Sequence, residues 1–133
     1  MTSLFFPYTT LATLIVLAAY FWIIVQVPQA RSKYGVELPA ISGHPDFDRI
    51  QRAHMNTLEW IVILLPLMWL FAVLVGDLYA GILGVIWGIA RIFYARGYAK
   101  DGASRLKPFF VTQAVLATLF LGSLGTLIYK WVM

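Results

Sequence analysis

The stretch LFFPYTTLATLIVLAAYFWIIVQV, Leu4 to Val27, contains no charged side chain, and neither does anything else between Met1 and Ala30. An apolar run of this length crosses the roughly 30 Å hydrocarbon core of a bilayer as a tilted helix. A cleaved signal peptide would need a basic segment ahead of a shorter apolar run, then a small-residue cleavage site. The residues around Val27–Gln29 do not provide that pattern. The stretch therefore reads as a membrane span, and the rest of the chain is read outward from it.

The whole chain has the same character. Of 133 residues, 61% are hydrophobic and 12% charged, and the mean hydropathy is +0.80. A soluble domain carries about 25% charged residues, so that class is excluded. The length suits one domain and leaves room for about four spans of roughly 20 residues. After Val27 comes a polar segment to Arg52, with Pro28, Pro39, Gly43 and Pro45 as breakers. Apolar runs follow over Thr57–Val75, Leu78–Tyr94 and Phe109–Val132, separated by Gly76-Asp77 and by polar Gly97–Lys107. The expected fold is all-α: one domain over residues 1–133, an up-down bundle of four membrane helices near 4–27, 53–75, 78–97 and 108–132.

Charge placement predicts orientation. Arg31, Lys33, Arg49 and Arg52 lie in or beside the first loop, and Arg96, Lys100, Arg105 and Lys107 lie in or beside the third. The second loop has no basic residue, and Lys130 alone lies near a terminus. The positive-inside rule puts loops one and three in the cytoplasm and both termini on the opposite face. The pI near 9.6 thus reports topology, and no nucleic-acid partner is expected. With no cysteine and two histidines, thiolate sites, disulfides and histidine-rich metal or haem centres are disfavoured.

Chemistry is sought where charges enter helices. In FDRIQRAHMNTLEW, Phe47 to Trp60, Arg52, Asn56 and Glu59 fall at i, i+4 and i+7, one stripe of a helix. An ionised side chain at mid-bilayer costs about 2.5–3.5 kcal/mol by insertion scales, so such a stripe must face protein, water or a ligand. The bland alternative is an interfacial helix with an internal Arg52–Glu59 ion pair. In ARIFYARGYAKDGASR, Ala90 to Arg105, Arg91, Tyr94 and Tyr98 share another face; here the bland alternative is an aromatic belt. Two stripes at one membrane face can converge on a pocket of guanidinium groups, one carboxylate, an amide and phenols. That inventory suits a small zwitterion with more than one carboxylate: arginines for carboxylates, Glu59 for an ammonium, Asn56 for a peptide group.

The run R-A-H-x-N-x-x-E from Arg52 to Glu59, preceded by Phe47-Asp48-Arg49, resembles the signature of the MAPEG family, membrane-associated proteins in eicosanoid and glutathione metabolism. Arg91-x-x-Tyr94-x-x-Gly97-Tyr98, followed by Arg105, resembles the branch containing leukotriene-C synthase and microsomal glutathione transferases two and three. The resemblance implies a homotrimer with glutathione as co-substrate at cytoplasmic subunit interfaces, and no metal. It implies that Arg52, Asn56, Glu59, Tyr94 and Tyr98 of one subunit bind glutathione, with Arg31 and His54 from its neighbour. Arg105 would hold glutathione as a thiolate, which attacks a hydrophobic electrophile arriving from the lipid bilayer, in the manner of a detoxification enzyme. A glutathione peroxidase activity toward lipid hydroperoxides belongs to the same expectation. The host membrane would be the inner membrane of a bacterium or the endoplasmic reticulum of a eukaryote. Trp60 stands where leukotriene-C synthase has a tyrosine, His54 where it has a glutamine and Ser32 where it has a second arginine. A non-enzymatic lipid-presenting protein is the main rival, and the Arg52/Asn56/Glu59 set with Arg105 favours the enzyme. Small four-helix exporters of similar length place a glutamate in helix one, which is uncharged here.

Overall fold

The computed structural model describes residues 5–133; Leu4, where the first helix was expected to begin, lies outside them. Four long helices fill nearly all of the described chain: α1 Pro7–Tyr34, α2 Pro45–Leu74, α3 Asp77–Lys100 and α4 Leu106–Val132. A single 3₁₀ turn, Ala103–Arg105, leads into α4. All four helices are long and apolar enough to cross a membrane.

Two boundaries depart from the sequence reading, both around loop one. The first helix passes through Pro28 and continues to Tyr34, where the composition suggested an end near Val27. A proline removes one helical donor, and at the end of a membrane helix the packed chain can absorb that loss. The helix stops instead at Gly35, in the left-handed region with φ 69°. Its N–H, and that of Val36, return to the carbonyl of Arg31, closing the last turn as a glycine-capped end does.

The second helix starts eight residues before the expected position 53. Pro45 occupies its first turn, where a missing N–H costs nothing. His44 Nδ1 accepts from the N–H of Asp46 at 3.1 Å, and Asp46 and Asp48 place negative charge where the helix dipole favours it. FDRIQRAHMNTLEW is therefore helical throughout. Loop one shrinks to the residues between Tyr34 and Pro45.

The bundle is asymmetric. α3 packs against every other helix, whereas α1 and α4 make no close approach among the described residues. α3 can take the central place because most of the face it buries is small, Ala80, Gly81, Gly84, Gly88, Ala90, Ala95 and Gly97, with Trp87, Arg91 and Tyr94 as the large exceptions. Around it Ala12, Val16, Leu64, Met68, Trp87, Val115 and Leu119 form the main apolar core. The large side chains of α1, α2 and α4 that point away from this core, such as Phe21, Val62 and Phe110, are exposed, as a lipid-facing surface requires.

Candidate functional site

Four elements meet around one recess at the end of the bundle where α3 finishes and α4 begins. α2 contributes Arg52 and Asn56, α3 contributes Tyr94 and Tyr98, the 3₁₀ turn contributes Arg105, and Leu106 and Phe109 form an apolar wall. The recess encloses about 210 Å³, whereas small-molecule pockets usually hold about 300–1,000 Å³.

The floor is built on a buried arginine. Arg91 is fully buried, with its guanidinium carbon 4.1 Å from the Tyr94 ring centre and 5.2 Å from that of Trp87. Its Nη1 donates to Asn56 Oδ1 at 2.9 Å and to Thr57 Oγ1 at 3.4 Å. The Tyr94 hydroxyl donates to the same Asn56 oxygen at 3.0 Å. A guanidinium has only donors, so Asn56 must turn its oxygen inward. What Asn56 offers the recess is then its amide N–H pair. Arg91 Nε and Nη2 find no partner among the described residues.

Above this floor the charges are loosely held. Arg52 Nη2 and Glu59 Oε1 lie 3.9 Å apart, with side chains 55% and 57% exposed. An exposed pair of this kind contributes about 0–1 kcal/mol, so a ligand carrying both charges can displace it at little cost.

Arg105 is held from two sides. Its guanidinium lies 4.8 Å above the Tyr98 ring and its Nη1 donates to the carbonyl of Gly102. A Cβ at Gly97 would lie 2.6 Å from the Ser104 carbonyl carbon and 2.9 Å from the Arg105 nitrogen. Only a glycine lets the end of α3 sit directly against this turn. Asp101 closes the turn by accepting the Ser104 N–H at 2.8 Å and its hydroxyl at 3.0 Å. Those bonds hold the Asp101 carboxyl below the usual carboxylate range. Arg49, paired with Asp46, donates to the carbonyl of Ala99 at 3.4 Å and so ties the start of α2 to the same turn.

The structure thus brings Arg52, Asn56, Tyr94, Tyr98 and Arg105 to one recess, with Glu59 beside Arg52. Arg31 and His54 are placed elsewhere in the chain. Arg31 donates to the carbonyls of Val36 and Ala40 and lies 4.9 Å over the Phe47 ring, lining a separate hollow with Ser32, Val36 and Glu37. His54 stacks on Tyr20 of α1 at 5.7 Å, and its Nδ1 has no partner among the described residues. Arg91, which the helical period placed on the face of Tyr94 and Tyr98, was not among the residues that the resemblance assigned to the ligand, and Leu106 and Phe109 were in no candidate set. The signal for Arg91 was a charge one turn deeper than the interface. Phe109 had none beyond being the first apolar residue of its run.

Comparison with known proteins places the chain in a family. The chain is 37% identical over 131 residues to an uncharacterized protein of Synechocystis, covering 97% of this chain and 93% of that one. It is 38% identical over 104 residues to microsomal glutathione S-transferase 2 of Bos taurus, covering 77% and 71% respectively. It is 33% identical over 114 residues to leukotriene C4 synthase of Bos taurus, covering 85% and 75%. The model of the MAPEG family matches residues 9–125, a stretch that takes in α2 and α3 whole, most of α1 and α4, and every residue of the recess. On that match, and on the four apolar helices, this chain is an integral multi-pass membrane protein that belongs to the MAPEG family.

Proposed function

We propose that the protein is a glutathione transferase of the membrane, joining the glutathione thiolate to hydrophobic electrophiles that partition from the lipid. The observation that carries this reading is the convergence of Arg52, Asn56, Tyr94, Tyr98 and Arg105 on one recess, with Glu59 next to Arg52. Relatives named as a glutathione transferase and a leukotriene C4 synthase support the choice of co-substrate. Glutathione carries two carboxylates, an ammonium, two peptide groups and a thiol. The Arg52–Glu59 pair suits its amino-acid end, since one group answers the carboxylate and the other the ammonium. The amide donors of Asn56 suit a peptide carbonyl.

Arg105 is the group assigned to the sulfur. The thiolate is the nucleophile, and a guanidinium that is always protonated lowers a thiol pKa by stabilising the anion. Reaction then forms one carbon–sulfur bond, and the electrophile's leaving group departs or its ring opens. Reduction of lipid hydroperoxides by the same thiolate is part of this proposal.

A recess smaller than a tripeptide needs, and an ion pair left more than half exposed, both suit a site completed by another copy of the chain. In the proposed homotrimer a neighbour would supply Arg31 and His54 and close the open side. A guanidinium has five N–H donors, so Arg31 retains capacity beyond its loop-one carbonyls. The basic ends of the helices would face the cytoplasm. Native mass spectrometry in mild detergent should give trimers; fully active monomers would overturn the assembly.

The test of the activity is a glutathione titration of the purified protein, followed by thiolate absorbance in the ultraviolet near neutral pH. Bound thiolate, together with conjugation of a model aryl halide, is the expected result. Binding without thiolate and without turnover would point to a lipid-presenting protein instead.

A further inference from the structure

The side of α3 that faces away from α2 carries two apolar grooves with different ends. Between α1 and α3, Leu11, Leu78, Gly81, Ile82 and Val85, with Tyr8 and with Ile86 at the border to the next groove, line a hollow of about 260 Å³ with no charged residue. Between α3 and α4, Ile86, Ile89, Ala90, Phe93 and Val111 line a hollow of about 370 Å³ that ends at Lys107 and Pro108. Phe93 and Pro108 are also walls of the next hollow toward the polar end, which adds Arg96, Lys100, Gly97 and Ser104. The two are therefore one channel, apolar toward mid-membrane and basic at the interface. Its apolar part follows α3 from Ile86 to Phe93 for about 10 Å, at 1.5 Å per residue, and its basic part continues along α3 to Lys100. Ile86, Ile89, Phe93 and Val111 are all 41–56% exposed.

The cations at its end are free of direct ion pairs. Arg96, Lys100 and Lys107 are exposed and take part in no ion pair among the described residues. Asp101 is the nearest acid in sequence; Ser104 donates to its carboxylate, and Lys100 attracts it from a distance, which leaves Arg96 and Lys107 as the cations with no acid beside them in sequence. Arg105, by contrast, turns to the opposite recess, against Tyr98.

We propose that this α3–α4 channel binds an anionic phospholipid of the surrounding bilayer, with one acyl chain along Ile86, Ile89, Phe93 and Val111 and the phosphate held by Lys107, Arg96 and Lys100. The occupant is argued from charge complementarity. Any lipid can lie along an apolar groove, but three unpaired cations at the headgroup level select a negative one. The site is separate from the recess around Arg52 and Arg105 and does not depend on the function proposed for that recess.

Because the chain has no cysteine, Ile89→Cys gives a single site for a fluorescent bimane label. The labelled protein is reconstituted in phosphatidylcholine vesicles with small fractions of spin-labelled phosphatidylglycerol or spin-labelled phosphatidylcholine as quencher. Phosphatidylglycerol should quench at several-fold lower mole fraction. Lys107→Gln should reduce that preference by about five-fold, the effect of one basic residue near the surface, and Arg96→Gln/Lys100→Gln/Lys107→Gln should abolish it. A label at Leu11→Cys, in the uncharged α1–α3 groove, should be quenched equally by both lipids. Equal quenching at Ile89→Cys would overturn the site. So would a preference that survives the triple variant, or one equally strong at Leu11→Cys, which would reflect only the overall charge of the protein.

Discussion

The two ends of this bundle handle polar groups in opposite ways. At the end where α1 starts and α3 starts, polar groups are used on one another. The Asp77 carboxylate accepts the N–H groups of Tyr8 and Thr9 at 3.1 and 2.9 Å, and the Thr9 hydroxyl donates to the Asp77 carbonyl at 3.2 Å. α1 has no side-chain cap of its own, so α3 caps it in trans. Across the same end, Lys130 donates to the carbonyl of Leu74 at 3.2 Å. At the other end polar capacity is left over. Arg52 and Glu59 are more than half exposed, and two nitrogens of buried Arg91 have no partner among the described residues. A satisfied end adds stability, and an end with spare donors and charges can bind something. The bilayer sharpens the contrast, because spare polar groups near its core are costly to keep.

Changes at four residues test that contrast, in order of expected size. Arg105→Ala should cut turnover with an aryl halide by about a hundredfold, comparable to losing one transition-state charge donor, while glutathione affinity changes little. Activity should recover in part at higher pH, where the thiolate forms unaided, and Arg105→Lys should be intermediate because the charge stays and the planar fork is lost. A wild-type rate and pH profile would reduce Arg105 to an orientation charge.

Arg52→Ala should weaken glutathione binding in calorimetry by about 2 kcal/mol, the lower end for removing one side of a charge pair, since Arg52 is half exposed. Glu59→Gln should act in the same direction through the ammonium. Unchanged affinity in both variants would remove this pair from the site. At the other end, Asp77→Ala should lower stability by about 1 kcal/mol, as the loss of a helix cap does, and leave turnover per folded molecule unchanged. A drop in turnover at constant stability would show that the two ends are not independent.

Several features were legible in the residues alone. Helix number follows from four apolar runs, because a bilayer admits no other closed backbone geometry for segments of that length. The grouping of Arg52, Asn56 and Glu59, and of Arg91, Tyr94 and Tyr98, follows from the 3.6-residue period. Local punctuation was a poorer guide. Pro28 and Pro45 looked like breakers, yet one lies inside α1 and the other opens α2, since a proline's effect depends on whether its missing N–H would have found a partner.

The sequence by itself determined that this is a four-span membrane protein with all its basic residues but Lys130 gathered toward one face, and which side chains lie on common helix faces. Those properties are local or additive: transfer free energy sums along a span, and helical periodicity needs no second element. Only the tertiary structure decided how the faces meet. The oxygen of Asn56 is turned inward by residues 35 and 38 positions away. Arg105 reaches the recess because Gly97 lets the turn backbone close on α3. Arg31, which looks equivalent to Arg52 in the sequence, is drawn to the carbonyls of loop one instead. Pairings across such distances arise when helices pack. They depend on which small residues allow α3 into the centre, and on which donors the packed bundle leaves without an acceptor.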